Sequence, residues 1–254
     1  MRTIIDTHAH LCDPLFDRDI VGVLERALNI GVSGIVSVGE NLADAQKNLM
    51  LAAEHSMIRA AAGLYPTYLD LAASDQMCAF IRRHREKLAA IGEVGLDYWI
   101  IKEESQREIQ REIFRGFIKL GKELGLPLNV HSRSAGRHAV GVLLESSAER
   151  VQLHAFDGKV SAAMPAADAG FFFSIPPSIV RSEQKQKLAK VLPLSCLLVE
   201  TDSPVLGPAP QERNEPANAS IALKMIAELR GMPVDETAEA IAENTYRLYG
   251  NAIS

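Results

Sequence analysis

Six residues with metal-binding side chains stand at or just past the ends of five short apolar runs. His8 and His10 follow Thr3-Ile4-Ile5-Asp6-Thr7, Glu93 follows Leu88-Ala-Ala-Ile-Gly92, His131 follows Leu128-Asn-Val130, His154 follows Val151-Gln-Leu153, and Asp202 ends Cys196-Leu-Leu-Val-Glu-Thr201. Imidazole and carboxylate together are a donor set for Zn²⁺ or a late transition ion, and carboxylates also accept Mg²⁺ and Mn²⁺. On a strand, side chains at i and i+2 share a face, so His8 and His10 form a two-toothed grip. Arg133 lies two residues past His131 and shares its face, where its planar fork suits a phosphate or carboxylate. Arg213, in Arg-Asn-Glu-Pro216, is either a substrate contact or an anchor for its loop through an ion pair with Glu215. Asp97 and Glu200 are placed to orient histidines or loop amides.

Plainer readings compete for each residue. A lone strand histidine is more often a hydrogen-bonded structural residue than a ligand, but four of the seven histidines stand at strand ends. His55, His84 and His138 fall in helical segments and read as surface residues. Glu93 has an alternative as one half of a buried ion pair, and Asp202 as a cap or Asx-turn ahead of Pro204.

The elements that must position these residues alternate in period. Strand-like runs cover Thr3 to His8, Gly34 to Val38, Ile58 to Gly63, Ala89 to Glu93, Pro127 to His131, Val151 to His154, Gly170 to Ser174 and Leu197 to Glu200. Helical spacing of apolar residues covers Leu15 to Ile30, Leu42 to His55, Ser74 to Lys87, Ser105 to Leu124, Ala135 to Ser146 and Arg181 to Lys190. A tail from Asn218 to Gly250 reads as a helical hairpin broken at Gly231 and Pro233, with Asp235 starting its second helix. This alternation predicts an α/β fold, a (β/α)₈ TIM barrel with a C-terminal helical extension, as one domain over residues 1–254. In such a barrel all strand C-termini meet at one rim. The polar stretch from Ser203 to Asn214 is expected as a loop there.

Composition narrows the function classes. A chain of 254 residues with 47% hydrophobic content buries a sizeable core, and its net charge of -5 excludes a broad basic surface for gripping nucleic acid. An anionic substrate must be attracted locally. Cys12, Cys78 and Cys196 are widely spaced and form no C-x-x-C pair, which fits a reducing cytoplasm. The start, Met1 to Asp6, lacks a signal-peptide apolar region, and no later run reaches membrane-spanning length.

At this point the motifs carry a resemblance. Asp6-Thr-His8-Ala-His10, Gly92-Glu93-Val-Gly-Leu-Asp97-Tyr98, Val130-His131-Ser-Arg133, His154-Ala-Phe-Asp-Gly158, Glu200-Thr-Asp202-Ser-Pro204, Arg213-Asn-Glu-Pro216 and Asn244-Thr-Tyr-Arg-Leu-Tyr-Gly250 together resemble the TatD family of metal-dependent hydrolases in the amidohydrolase superfamily. The resemblance implies the same barrel with two divalent ions, Zn²⁺, Mg²⁺ or Mn²⁺. His8, His10 and Asp202 would hold one, His131 and His154 the other, and Glu93 would bridge them. It also implies phosphodiester hydrolysis, as a deoxyribonuclease of 3′-to-5′ exonuclease character whose partner is nucleic acid, with no obligate protein partner. Single-stranded DNA ends are the expected substrate.

The chemistry agrees with that implication. Two divalent ions offset by Glu93, Asp202 and one hydroxide leave a net charge of about plus one to draw in a phosphate. Coordination lowers the pKa of water towards ~7, making hydroxide the expected nucleophile, with Asp202 placed to orient the water or take its proton. Where the family commonly has Gly-x-His-Pro-His, this chain has Gly63-Leu-Tyr65-Pro66-Thr67, so Tyr65 becomes the expected substrate contact, able to donate a hydrogen bond. Asp157 stands where Ser is more frequent, adding a negative charge near the rim. The same centre also serves attack on a carbonyl, as in an amide or ester hydrolase of the aminoacyl deacylase type. A non-catalytic metal-binding barrel is the third reading.

Overall fold

Each apolar run pairs in parallel with the next in a computed structural model that describes residues 3–253. Met1, Arg2 and Ser254, which the 1–254 expectation also spans, lie outside the described residues. The strands are β1 (Ile4–Ala9), β2 (Val32–Ser37), β3 (Ile58–Ala62), β4 (Leu88–Gly95), β5 (Leu128–His131), β6 (Val151–His154), β7 (Phe172–Ile175) and β8 (Leu197–Val199), and they form one sheet in chain order. The right-handed twist of a sheet brings its outer strands together when it coils far enough, and here β8 returns to β1.

That last seam is held differently from the others. Asp202 donates its backbone N–H to the His8 carbonyl at 2.8 Å, and His10 donates to Ser203 at 2.7 Å. Thr7 Oγ1 donates to the Val199 carbonyl at 2.9 Å. The Asp6 carboxylate accepts from Thr201 N at 2.8 Å and from Thr201 Oγ1 at 2.5 Å. Burial pushes the Asp6 carboxyl up to about 7 against the lowering effect of those hydrogen bonds.

Helices cover the outside: α1 (Ile20–Ile30), α2 (Leu42–Glu54), α3 (Leu71–His84), α4 (Glu104–Leu124), α5 (Gly136–Glu145), α6 (Val160–Asp168) and α7 (Glu183–Val191) each follow their strand, and α8 (Ala219–Arg230) and α9 (Val234–Tyr249) follow β8. Their inner faces obey helical spacing. Helix α4 buries Gln110, Ile113, Phe114, Phe117, Ile118, Leu120 and Gly121. Polar caps start several of them, as where the Asn41 side chain accepts from the Ala43 and Asp44 amides ahead of α2. Asp70 does the same for α3, which therefore begins at Leu71 rather than at the expected Ser74.

Two boundaries depart further. Residues 14–16 form a separate 3₁₀ turn, so α1 starts at Ile20, not Leu15. Helix α6 has no counterpart among the expected segments, because Pro165 interrupts the pattern and only Ala163 and Ala166 are buried. The tail is a helical hairpin as expected, with Gly231 in the left-handed region at φ 63° ending α8 and α9 opening at Val234 after Pro233. Leu248, Tyr249 and Ile253 pack among Ile5, Val36, Ala61 and Leu198. Tyr249 also donates to Gln152 Oε1 at 2.5 Å, tying the tail to β6.

If the Asp6–Thr201 contact closes the barrel, Asp6→Ala leaves buried donors unsatisfied and costs about 2–3 kcal/mol. For a domain of this size that lowers Tm by roughly 5–10 °C. Thermal unfolding of the chelator-treated protein followed by circular dichroism measures it, and a fall of under about 2 °C would show that the seam does not depend on this carboxylate.

Candidate metal centre

The rim at the strand C-termini gathers all six expected donors into one cluster. His8 Nε2 lies 3.2 Å from His10 Nε2 and 3.3 Å from Asp202 Oδ1. His10 Nε2 is 3.4 Å from the same Asp202 oxygen and 3.3 Å from Glu93 Oε2, which is itself 3.9 Å from His8 Nε2. The edge of a tetrahedron of zinc ligands with bonds of 2.0–2.1 Å is about 3.3 Å. On the other side Glu93 Oε1 lies 2.6 Å from His131 Nδ1 and 2.8 Å from His154 Nε2, and those two nitrogens are 3.1 Å apart. Glu93 thus turns one oxygen to each donor set.

The local backbone makes this convergence fit. Glu93 sits within β4, and a Cβ on Gly63 of the neighbouring strand end would lie 2.6 Å from the Glu93 carbonyl oxygen. Gly95, at φ 141°, passes so near β5 that a Cβ would come within 2.2 Å of the His131 carbonyl. Asp202 itself has φ 56° and Ala155, after His154, φ 38°. Left-handed conformations in non-glycine residues are strained, and they concentrate at functional sites. At Asp202 the two flanking seam bonds hold it there.

The site's surroundings fix its rings and charges. Asn129 Oδ1 accepts from His8 Nδ1 at 2.8 Å, and the Asp97 carboxylate lies 3.1 Å from His131 Nε2. Both partners leave the opposite ring nitrogen facing the cluster, as metal-binding histidines require. Burial would raise Glu93 and Asp202, but histidine contacts hold both well below the usual carboxylate range. His154 is pulled down to about 4 by burial and by His8, whose ring stacks on it at 3.9 Å, so it presents a neutral imidazole. Burial also opposes charge on His131, yet Glu93 and Asp97 lift it to about 9.

Two buried polar atoms in the cluster, Glu93 Oε2 and His154 Nδ1, have no hydrogen-bond partner. A buried carboxylate oxygen without a donor is costly, and a cation among these nitrogens and oxygens satisfies it. The residues present therefore fit divalent metal binding.

The expected substrate contacts divide. A cavity of about 480 Å³ opens over the cluster, lined among others by Glu40, Tyr65, Arg133, Asp157 and Lys185. Tyr65 reaches it, but its hydroxyl lies 3.3 Å from Asp97 Oδ2 and 3.4 Å from His131 Nε2, so it also braces the histidine's partner. Arg213 does not line the cavity. Its guanidinium grips the Asp19 carboxylate at 2.6 and 2.8 Å and the Leu15 carbonyl, while Glu215 pairs with Arg26. Arg213 thus ties its loop to Asp19 rather than to Glu215, because the loop folds back over the start of α1.

Sequence reasoning passed over two residues near the centre. Asn129 was signalled, since a polar residue two positions before His131 on a buried strand faces the same way. Lys185 carried no signal: it sits in a Gln-Lys-Gln-Lys run that reads as a solvated helix face. The fold turns its ammonium inwards, where it donates to the Ala155 carbonyl at 3.3 Å. Burial pulls it below the usual lysine range despite the acidic groups Glu200, Asp157 and Asp202.

The sequence matches the family described as TatD related DNase over residues 5–250. The chain belongs to the TatD family. Among TatD relatives, deoxyribonuclease TATDN3 of Homo sapiens is 43% identical over 258 residues, covering 97% of this chain and 94% of that protein. The metal-dependent hydrolase YabD of Bacillus subtilis is 35% identical, covering 97% of this chain and 98% of its own. The crystal structure of YjjV, a TatD homologue from Escherichia coli, superposes with a TM-score of 0.89 at 30% identity and covers 97% of each chain.

Because Glu93 faces both donor sets, Glu93→Gln should deplete bound metal across the whole cluster, whereas His8→Ala with His10→Ala should deplete one set only. Elemental analysis of protein purified without chelator reads the difference. Equal metal content in the Glu93→Gln variant and the wild type would refute a shared carboxylate.

Proposed function

We propose that this chain is a divalent-metal-dependent phosphodiesterase, a deoxyribonuclease that acts from the 3′ ends of single-stranded DNA with two ions, Zn²⁺, Mg²⁺ or Mn²⁺, held as one pair. The observation that carries this reading is the division of the Glu93 carboxylate, with Oε1 towards His131 and His154 and Oε2 towards His10 and His8. A pair of ions supplies Lewis acidity towards a phosphoryl group and makes water acidic enough to react at neutral pH.

The chain's own groups do the rest. Asp202, kept ionised by His8 and His10, is the carboxylate placed to accept the proton of the attacking water. Arg133 and Lys185 line the cavity as cations suited to the non-bridging oxygens of the phosphodiester. Tyr65 and Asp97 keep the His131 ring oriented. The six metal-binding residues, the catalytic pair Asp202 and Glu93 and the single hydrolase barrel over 1–254 belong to this one reading, set in a reducing cytoplasm. Glu40 and Asp157 at the rim oppose anion entry, so the attraction must come from the metal centre and the two cations.

The test is degradation of a 5′-labelled single-stranded oligonucleotide, which should shorten stepwise from its 3′ end when the protein carries Mg²⁺, Mn²⁺ or Zn²⁺. Small amides and aminoacyl esters assayed in parallel should be left intact; their hydrolysis with no DNA cleavage would assign the centre to a carbonyl substrate instead. Lys185→Met should lower kcat/KM on DNA about 10- to 100-fold, the loss of one charge-assisted contact, with metal content unchanged.

A further inference from the structure

The turn after β4 carries the chain's single tryptophan, Trp99, to the surface, where it is 54% exposed beside an equally exposed Ile100. Large apolar side chains placed singly at a surface need no explanation, but this ring is built into the metal centre's own framework. Asp97, whose Oδ2 holds His131, also accepts the Ile100 amide on Oδ1 at 2.8 Å, which fixes the turn around Trp99. The Tyr98 amide donates to the Arg133 carbonyl at 2.9 Å, tying this turn to the β5 loop.

Charge completes the pattern. The Arg133 guanidinium, which lines the cavity, lies 5.2 Å from the Trp99 ring centroid, and the Lys102 ammonium lies 5.2 Å from it as well. Among the described residues the Arg133 guanidinium has no carboxylate or carbonyl partner, and the Lys102 ammonium donates only to the Tyr98 carbonyl at 3.2 Å. Both keep donors free. An exposed indole with two cations lying over its ring, on a protein of negative net charge, matches the way single-stranded nucleic acid is held: a base stacks on the ring as a cation swings off it to meet a phosphate.

We propose that Trp99, with Arg133 and Lys102, forms a nucleobase-stacking subsite at the cavity mouth that holds a base of single-stranded DNA next to the bond being cut. It rests on the nuclease reading above and adds how the strand is gripped. Arg133 links the two places, since it faces the cavity and neighbours the ring. Stacking on one aromatic ring tolerates every base, so the subsite selects for an unpaired strand and not for sequence.

Trp99 is its own reporter. Metal-loaded protein is mixed in a stopped-flow instrument with an oligothymidylate and, separately, with an abasic oligomer of equal length, and tryptophan emission is followed before products accumulate. Oligothymidylate should quench the emission and the abasic oligomer should leave it nearly unchanged. Trp99→Ala should weaken binding of labelled oligothymidylate about tenfold, read by anisotropy in the same time window, with kcat within twofold and Trp99→Phe recovering most of the affinity. Unaltered emission together with wild-type affinity in Trp99→Ala would overturn the subsite, whether or not DNA is cut. Quenching and weakened binding without any cleavage would leave the subsite standing and remove the nuclease reading.

Discussion

The β8–β1 seam is the contact on which the rest depends. An eight-stranded parallel sheet becomes a barrel only if its last strand meets its first, and β8 here is a three-residue strand, Leu197–Val199. The chain makes up the difference just beyond it, through the Asp202–His8 and Ser203–His10 backbone bonds and the buried Asp6–Thr201 pair. Three of the six candidate metal donors, His8, His10 and Asp202, are therefore carried by the segments that close the fold. Closure and site assembly are one event, and Asp202 tolerates its left-handed backbone because its neighbours are pinned on both sides.

The electrostatics of the rim follow from that enforced crowding. Four imidazoles and two carboxylates are packed with little solvent exposure, and a buried carboxylate is tolerated only with compensating charge or donors. Glu93 and Asp202 take theirs from the histidines, yet Glu93 Oε2 still has no donor and the stacked His8 and His154 rings cannot both be cationic. The arrangement is poorly satisfied as a protonated network and well satisfied as a cation cage. Sites with such conflicts are where proteins set aside local stability for function.

The sequence made the periodic features legible and hid those created by contact between distant segments. The eight strands and the cluster of six donors follow from apolar runs ending in polar residues, since a parallel barrel puts all those ends at one rim. Helix α6 was not legible because Pro165 and a small Ala-rich inner face erase the helical pattern. Arg213, left open between two roles, and Lys185, which carried no signal, show the same limit from opposite sides. The loop from Ser203 swings back to α1 and gives Arg213 to Asp19, while Lys185, in a run that looks solvated, is turned by the packing of α7 towards the Ala155 carbonyl. Neither rotation leaves a trace in local spacing.

Tyr65, where the family resemblance leads one to expect a histidine, tunes the centre differently. A histidine at that position brings a titratable cation near an incoming phosphate, whereas burial and the neighbours Glu93 and Asp97 push the Tyr65 phenol upward and keep it neutral. Its hydroxyl is directed at Asp97 and His131, so the residue acts on the ring that the carboxylate orients and contributes no charge to the cavity. Among the described residues lining the cavity, Arg133 and Lys185 are the arginine and lysine side chains that face a substrate, against Glu40 and Asp157 on the same wall. Such a cavity attracts an anion most strongly at its floor, where the candidate metal donors converge.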